Sequence, residues 1–382
     1  MSNQGIPGLP SVAQLFVRLS EIASPSRDEG RIAAMVKDEL ASLGAEISED
    51  DAATRIGAGC NNILARFAPT AEGGTPIAFA AHLDTVPNRA PIEVELVDGM
   101  LTNRNAAILG GDDKSAVAAI LQAMRQIIDD GIPHAGVELL FTPCEEIGLK
   151  GAGAFDPARL QAGFGFVYDH TGEIGRIVTR APSLRKIHAT FVGTPAHAGI
   201  VPEDGRSAIG AAAAAIDRMP LGRVDAETTA NVGTIDGGTA TNVVAGRCSL
   251  LAEARSLTDA RLAAQVTAMI DALTWAASEH EVDVEIRVDR EFDGYALGER
   301  DPQVALAARA LANSGCTPEF VTAGGGSDVN ALITNGFPAV NLCNAMIDIH
   351  TDTERIAVAS LTALVDVTLA IIAEAAQTPP AP

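Results

Sequence analysis

Apolar and polar positions alternate along this chain with two periods. Helical spacing appears first at Val12, Leu15, Phe16, Leu19 and Ile22, behind an opening Ser11. A second amphipathic run carries Ile32, Met35, Val36, Leu40 and Leu43 and stops at Gly44. Ahead of it, Ser26-Arg27-Asp28-Glu29 has the spacing of a capping box. Short apolar runs at Asn62–Phe67, Ile77–Ala81, Val137–Phe141 and Gly165–Tyr168 predict buried strands. A helix is expected over Lys114–Ile128, broken by Gly131 and Pro133. Strands alternating with helices indicate an α/β layer structure.

After about Ala181 the pattern changes. Strand Ile187–Val192, helix Ser207–Met219, strands Thr229–Thr234 and Ser249–Ala254, helix Thr258–Glu279 and strand Val282–Val288 follow one another. This β-α-β-β-α-β order is the ferredoxin-like split motif. Helix-rich α/β sequence resumes at Asp301 and ends with a helix near Ala357–Ala375; the Pro-rich tail Thr378–Pro382 is expected to fray. The expected fold class is therefore α/β, a sheet flanked by helices. Residues 1–180 and 293–382 would form one divided domain around a ferredoxin-like α+β insert at 181–292.

Composition narrows the function classes. With 47% hydrophobic and 20% charged residues among 382, the chain has ample material for packed cores, which excludes a disordered protein. A formal net charge of −22 repels phosphate backbones, so no nucleic-acid partner is expected. Cys60, Cys144, Cys248, Cys316 and Cys343 form no CxxC pair, which argues against a disulfide framework or a thiolate zinc cage. Met1–Pro10 lacks the basic start and apolar core of a signal peptide, and no run of 18 apolar residues survives interruption by charge, Gly or Pro. A soluble cytoplasmic protein without a membrane partner is the expectation.

The candidate chemistry gathers at strand ends. His82 closes an apolar strand in Ala-His-Leu-Asp-Thr-Val, and Asp84, two positions on, is placed to orient its imidazole. Leu109-Gly-Gly-Asp-Asp-Lys-Ser115 sets two carboxylates before a helix. Capping accounts for one of them, whereas mutual repulsion of the pair is best relieved by a cation that the glycines allow the backbone to approach. Glu145 and Glu146 follow the strand ending at Phe141 and point differently, so one can coordinate while the other faces a substrate. Asp169 ends another strand, and His350 stands in Asp-Ile-His-Thr-Asp-Thr-Glu. Each alone is ordinary; their joint placement is where open α/β sheets put their ligands.

In the order HLD, GGDDK, TPCEEIG, YDHTG and IHTDTE, the chain resembles the M20 metallopeptidases, in particular their peptidase T-like branch, over nearly its whole length. The resemblance implies a zinc-exopeptidase-like catalytic domain with a lid that dimerises. It implies that His82, Asp112 and Asp169 hold one zinc, and that Asp112, as bridge, holds the second with Glu146 and His350. Asp112 is preferred to Asp113 because the family's bridging Asp lies two positions before the Lys, here Lys114, and the peptide bond after it would be cis. Imidazole and carboxylate suit zinc, with cobalt and manganese left open. Glu145 would take the proton of a zinc-bridging water and pass it to the leaving amine. In Gly193-Thr-Pro-Ala-His-Ala-Gly199, His197 would stabilise the oxyanion from across a homodimer. Asn242, Arg255 and Ser327 match or line substrate positions, Arg255 as a carboxylate partner. Cys144 is expected to be a buried structural thiol.

The activity so implied is that of a metallo-exopeptidase on short peptides, foremost an aminopeptidase acting on tripeptides. A carboxypeptidase, dipeptidase or N-acyl-amino-acid amidohydrolase shares the same motifs, and a non-catalytic binding protein on the same fold is the rival from another class. The run Ala323-Gly-Gly-Gly-Ser-Asp328 lacks the Arg of the Arg-Gly-Gly-Thr found in tripeptidases, which speaks against strict tripeptide selectivity.

Overall fold

Residues 6–379 are described by the structure, a computed structural model. They divide into two units, one comprising the chain up to Arg180 and from Ala296 onward, the other Ala181–Tyr295.

Four parallel strands form the centre of the first unit. Val137–Thr142 pairs with Ile77–His82, which pairs with Phe164–Val167, which in turn pairs with Ala339–Leu342. Antiparallel Ile63–Phe67 and Glu46–Glu49 extend one side; Arg176–Ala181, antiparallel to Ala339–Leu342, extends the other, with Glu319–Thr322 parallel to it. Every residue of Ile77–His82 and Val137–Thr142 is buried. Such continuous burial requires both sheet faces to be covered, which explains the unbroken apolar runs in the sequence. The helices Ser11–Ser20, Lys114–Asp129, Pro302–Asn313 and Val358–Gln377 pack on one another in this core. By length and composition alone, Val358–Gln377 could cross a membrane; here Leu361, Leu364, Val365, Val367, Ile371 and Ile372 are buried in the core. Each such side chain removes about 1.5–3 kcal/mol of apolar exposure.

Two differences from the sequence reading bear on the site. Ser26 and Glu29 do not form a capping box on the second helix, which starts at Gly30. Both side chains are drawn instead into buried contacts with the loops around the candidate residues, described below. At the C-terminal tail, Thr378 is held by Thr75, whose Oγ1 donates to its carbonyl at 2.9 Å; Pro380–Pro382 lie outside the described residues.

The second unit is an antiparallel sheet with strand order Thr228–Gly237, Arg247–Ser256, Ser183–Val192, Asp283–Phe292, with Gly222–Arg223 added at the first edge. The helices Ala208–Arg218 and Asp259–Glu279 pack on the face formed by Ile187, Ala189, Phe191, Leu250, Ala252 and Ala254. The Ala-rich stretch Ala211–Ala215 supplies small buried side chains for this contact. Near the end of this unit, the Gly294 N–H donates to Ser183 Oγ at 2.7 Å.

Candidate metal centre

The carboxyl ends of the parallel strands in the first unit carry the centre. His82 is the last residue of its strand and lies opposite Thr142. Glu145 and Glu146 follow Thr142 by three and four positions, and Asp169 follows Val167 by two. Below them Phe79 stacks on Tyr168 with ring centroids 6.2 Å apart, and Tyr168 Oη lies 2.9 Å from Thr368 Oγ1. Packing of this kind holds the strand ends bearing His82 and Asp169 in fixed register.

Asp112 stands between two imidazoles. Its Oδ1 is 3.5 Å from His82 Nε2 and its Oδ2 is 3.2 Å from His350 Nε2; the latter is also 2.9 Å from Glu146 Oε1. The peptide bond between Asp112 and Asp113 is cis. His82 Nδ1 lies 2.9 Å from the main-chain oxygen of Asp84. A carbonyl can only accept, so Nδ1 carries a proton and Nε2 is the ring nitrogen turned to Asp112.

Asp84 faces His82 Nδ1 twice, with its main-chain oxygen at 2.9 Å and its carboxylate Oδ1 at 3.6 Å. The Asp84 side chain serves the neighbouring loop. Glu145 N donates to Oδ1 at 2.9 Å, Glu146 N to Oδ2 at 3.2 Å, and Ser26 Oγ to Oδ2 at 2.6 Å. Burial would raise this carboxyl, but the His82 imidazole and the hydrogen bonds it accepts from Ser26 Oγ and Glu145 N hold it below its ordinary value. Glu29 braces the same loop, accepting from Arg27 N at 2.7 Å, Gly59 N at 2.6 Å and Cys144 N at 3.2 Å. Cys144 is a buried free thiol, pushed up to about 12 by burial and by Glu29.

The donor set fits divalent cations. His82, Asp112 and Glu146 each bring a ligand atom within 4.8 Å of the others, and so do His82, Glu145 and Asp169. Thus Asp169 groups with His82 and Glu145 here. Asp169 Oδ2 and both carboxylate oxygens of Asp113 are buried without a hydrogen-bond partner among the described residues. Orphaned anionic oxygens of this kind are costly unless positive charge reaches them. Burial raises Asp169, Asp113 and Glu145 well above the usual carboxylate range, and neighbouring carboxylates add to it. His350 is pushed up to about 10 by its hydrogen bonds with Asp112 and Glu146. Oxygen and imidazole donors without thiolate match zinc, cobalt or manganese.

The other sequence candidates are placed differently. Ser327 is 2% exposed and precedes the helix Asp328–Thr334, with Asn330 Oδ1 accepting its N–H at 3.1 Å. In the second unit His197 and Asn242 are exposed and lie on adjoining segments, Ala198 N donating to Asn242 O at 2.9 Å. Gly199 N donates to His197 Nδ1 at 3.2 Å, which leaves the proton of a neutral ring on Nε2. Arg255 is paired with Glu253, Nε to Oε1 at 2.8 Å.

Sequence reasoning passed over Ser26, Glu29, Asn341 and Glu354. Asn341 clasps the backbone of Asp169, accepting its N–H at 2.9 Å and donating to its carbonyl at 2.7 Å. A polar residue inside the apolar run Ala339–Leu342 was the available signal.

The model of Peptidase family M20/M25/M40 matches residues 78–374. Over 362 residues the chain is 37% identical to the uncharacterized protein YqjE of Bacillus subtilis (strain 168), covering 95% of this chain and 97% of that one. The crystal structure of aminopeptidase PepT from Bacillus cereus ATCC 10987 superposes with a TM-score of 0.85 at 38% identity, over 96% of this chain and 98% of that one. A tripeptidase from Staphylococcus aureus subsp. aureus Mu50 superposes with a TM-score of 0.91 at 35% identity, again over 96% and 98%. With motifs, strand-end geometry and relatives in agreement, the chain belongs to peptidase family M20/M25/M40.

Proposed function

We propose that this chain is a two-zinc exopeptidase that hydrolyses an amide bond of short peptides, acting as an aminopeptidase on tripeptides or peptides of similar size. The observation that carries the reading is the Asp112 carboxylate with one oxygen turned to His82 and the other to His350. His82, Asp112 and Asp169 would hold one zinc; Asp112, Glu146 and His350 would hold the other. When bound, such ions polarise a scissile carbonyl and make a water molecule more acidic.

The protein's own groups do the rest. Glu145 is 9% exposed, and burial raises its proton affinity, as suits a base that takes a proton from water and returns it to a departing amine. Its backbone N–H is held by Asp84, which would restrict the positions from which the carboxylate could reach a water. His197, with its proton on Nε2, offers the donor that an oxyanion needs and would act across a homodimer. Arg255 would exchange Glu253 for a substrate carboxylate, and Asn242 would hold the peptide backbone. Ser327 would line the substrate pocket, though its side chain is buried.

Glu145→Ala is the direct test. The variant should keep both zinc ions and lose most of its turnover on a tripeptide; turnover near wild type would reject the base assignment. A panel of dipeptides, tripeptides and N-acetyl amino acids decides the substrate class, and cleavage of the acetylated compounds alone would replace the aminopeptidase reading with an amidohydrolase.

A further inference from the structure

We propose that Glu354 is a positioning residue that fixes the Asp112 carboxylate and ties it to His350, an inference that rests on the metal centre proposed above. Glu354 is 2% exposed and receives four consecutive backbone N–H groups. Oε2 accepts from Leu109 at 2.8 Å and Gly110 at 2.9 Å; Oε1 accepts from Gly111 at 2.9 Å and Asp112 at 3.2 Å. The last bond falls on the residue that would bridge the two ions. The nearby cation, Lys114, sends its Nζ to Ile22 O at 2.6 Å.

The turn is built around this carboxylate. Gly110 has φ +70°, and a Cβ on Gly111 would come within 2.4 Å of Met346 Cε and 3.4 Å of Glu354 Oε1. Gly110 is thus required by its backbone conformation, and Gly111 by the close approach of Met346. On the other side, Glu354 is anchored by the strand that follows, Arg355–Ala357, where Ile356 pairs with Leu101, and by mutual backbone bonds of Arg355 and Ile347. His350 lies four residues before Glu354, so one short segment carries a candidate ligand at one end and a grip on Asp112 at the other. Their separation sets the 3.2 Å approach of His350 Nε2 to Asp112 Oδ2.

Glutamine keeps the shape of this side chain but not its acceptors. Its amide NH2 would face two N–H donors, and the turn must shift to relieve them. Groups that hold ligands typically change metal affinity or activity by about 10–100-fold when lost. Wild type and Glu354→Gln are compared in three measurements: zinc affinity and stoichiometry against a competing chromophoric chelator, kcat and KM on a tripeptide, and thermal midpoint after metal removal. The expected result is weaker binding of at least one zinc and a fall in kcat of roughly 10–100-fold, with KM within a few-fold and the metal-free midpoint little changed. Glu354→Asp, which keeps the charge and shortens the reach, should lie between the two. Wild-type zinc affinity and kcat in Glu354→Gln would overturn the assignment, as would failure of both variants to fold, which would make the role purely structural. Wild-type protein that binds no zinc overturns the metal centre itself, and the Glu354 inference with it.

Discussion

Most candidate residues of the two units live in opposite surroundings, His350 of the first unit being an exposed exception. In the first unit His82, Asp84, Asp112 and Glu145 are buried, and main chain or buried carboxylates hold them: Asp84 O holds His82, Glu354 holds Asp112, Asp84 and Glu29 hold the Glu145 loop. In the second unit His197 and Asn242 are exposed, and Arg255 pairs with Glu253 on the sheet face opposite Ala252 and Ala254. The sheets explain the contrast. A parallel sheet covered on both faces leaves its polar groups only the strand ends, where they crowd one another. An antiparallel sheet with one covered face has a whole polar side to spread them over. A centre braced in this way is organised before any ligand arrives, whereas exposed groups acquire a role only when a ligand meets them.

That contrast separates metal binding from turnover, and His197→Ala tests the separation most strongly. Loss of a single oxyanion donor typically costs roughly 10²–10³ in kcat. The expected outcome is a fall of that order with zinc content unchanged, measured by metal analysis and tripeptide kinetics on one preparation. If His197→Ala lost zinc, the two units could no longer be treated as distinct in this respect.

A smaller effect is expected within the brace. Asp84→Asn retains one acceptor for the three donors Glu145 N, Glu146 N and Ser26 Oγ, and places an amide against those left over. The Glu145 carboxylate would then be less well aimed, and kcat per bound zinc should drop about 10–100-fold. Circular dichroism should show the fold retained. Unchanged turnover would mean that the Glu145 loop is held adequately by Glu29 and packing alone.

How legible each part was in the sequence follows from the same physics. Wholly apolar runs and amphipathic spacing marked the buried strands and long helices, because burial itself writes that pattern. The edge strands Glu46–Glu49 and Glu319–Thr322 escaped notice, since partial exposure leaves no apolar run to read. In the site, His82, Asp112, Glu145, Glu146, Asp169 and His350 could be located as polar residues following strands, and the order of their motifs gave them candidate roles. The brace could not be seen. Glu29 was read as a helix cap and Glu354 only as the end of a motif, because a buried carboxylate that receives backbone N–H groups leaves no local periodicity. Its partners lie 115 residues away for Glu29 with Cys144, and 242 for Glu354 with Asp112.

The thiols offer the finest probe of the contrast. Cys144 and Cys248 are both buried and both raised, Cys144 to about 12. Burial leads in each, but Cys144 also lies 3.2 Å from a Glu29 carboxylate oxygen, whereas the further contribution at Cys248 is the charge of Asp236. A raised thiol stays protonated at neutral pH and yields thiolate only as pH climbs toward its pKa, so alkylation of both should be slow at pH 8 and accelerate on the alkaline side. Glu29→Gln removes a negative charge that acts on Cys144 and not on Cys248, lowering the Cys144 pKa and raising its thiolate fraction at a given pH. Iodoacetamide labelling followed by mass spectrometry at about pH 9 should therefore show Cys144 reacting several-fold faster in the variant, with Cys248 unchanged. Equal acceleration at both would point to general loosening of the fold, and no acceleration at either would leave burial as the sole cause of the raised thiol, removing Glu29 from the electrostatics of the loop while leaving its hydrogen bonds in place.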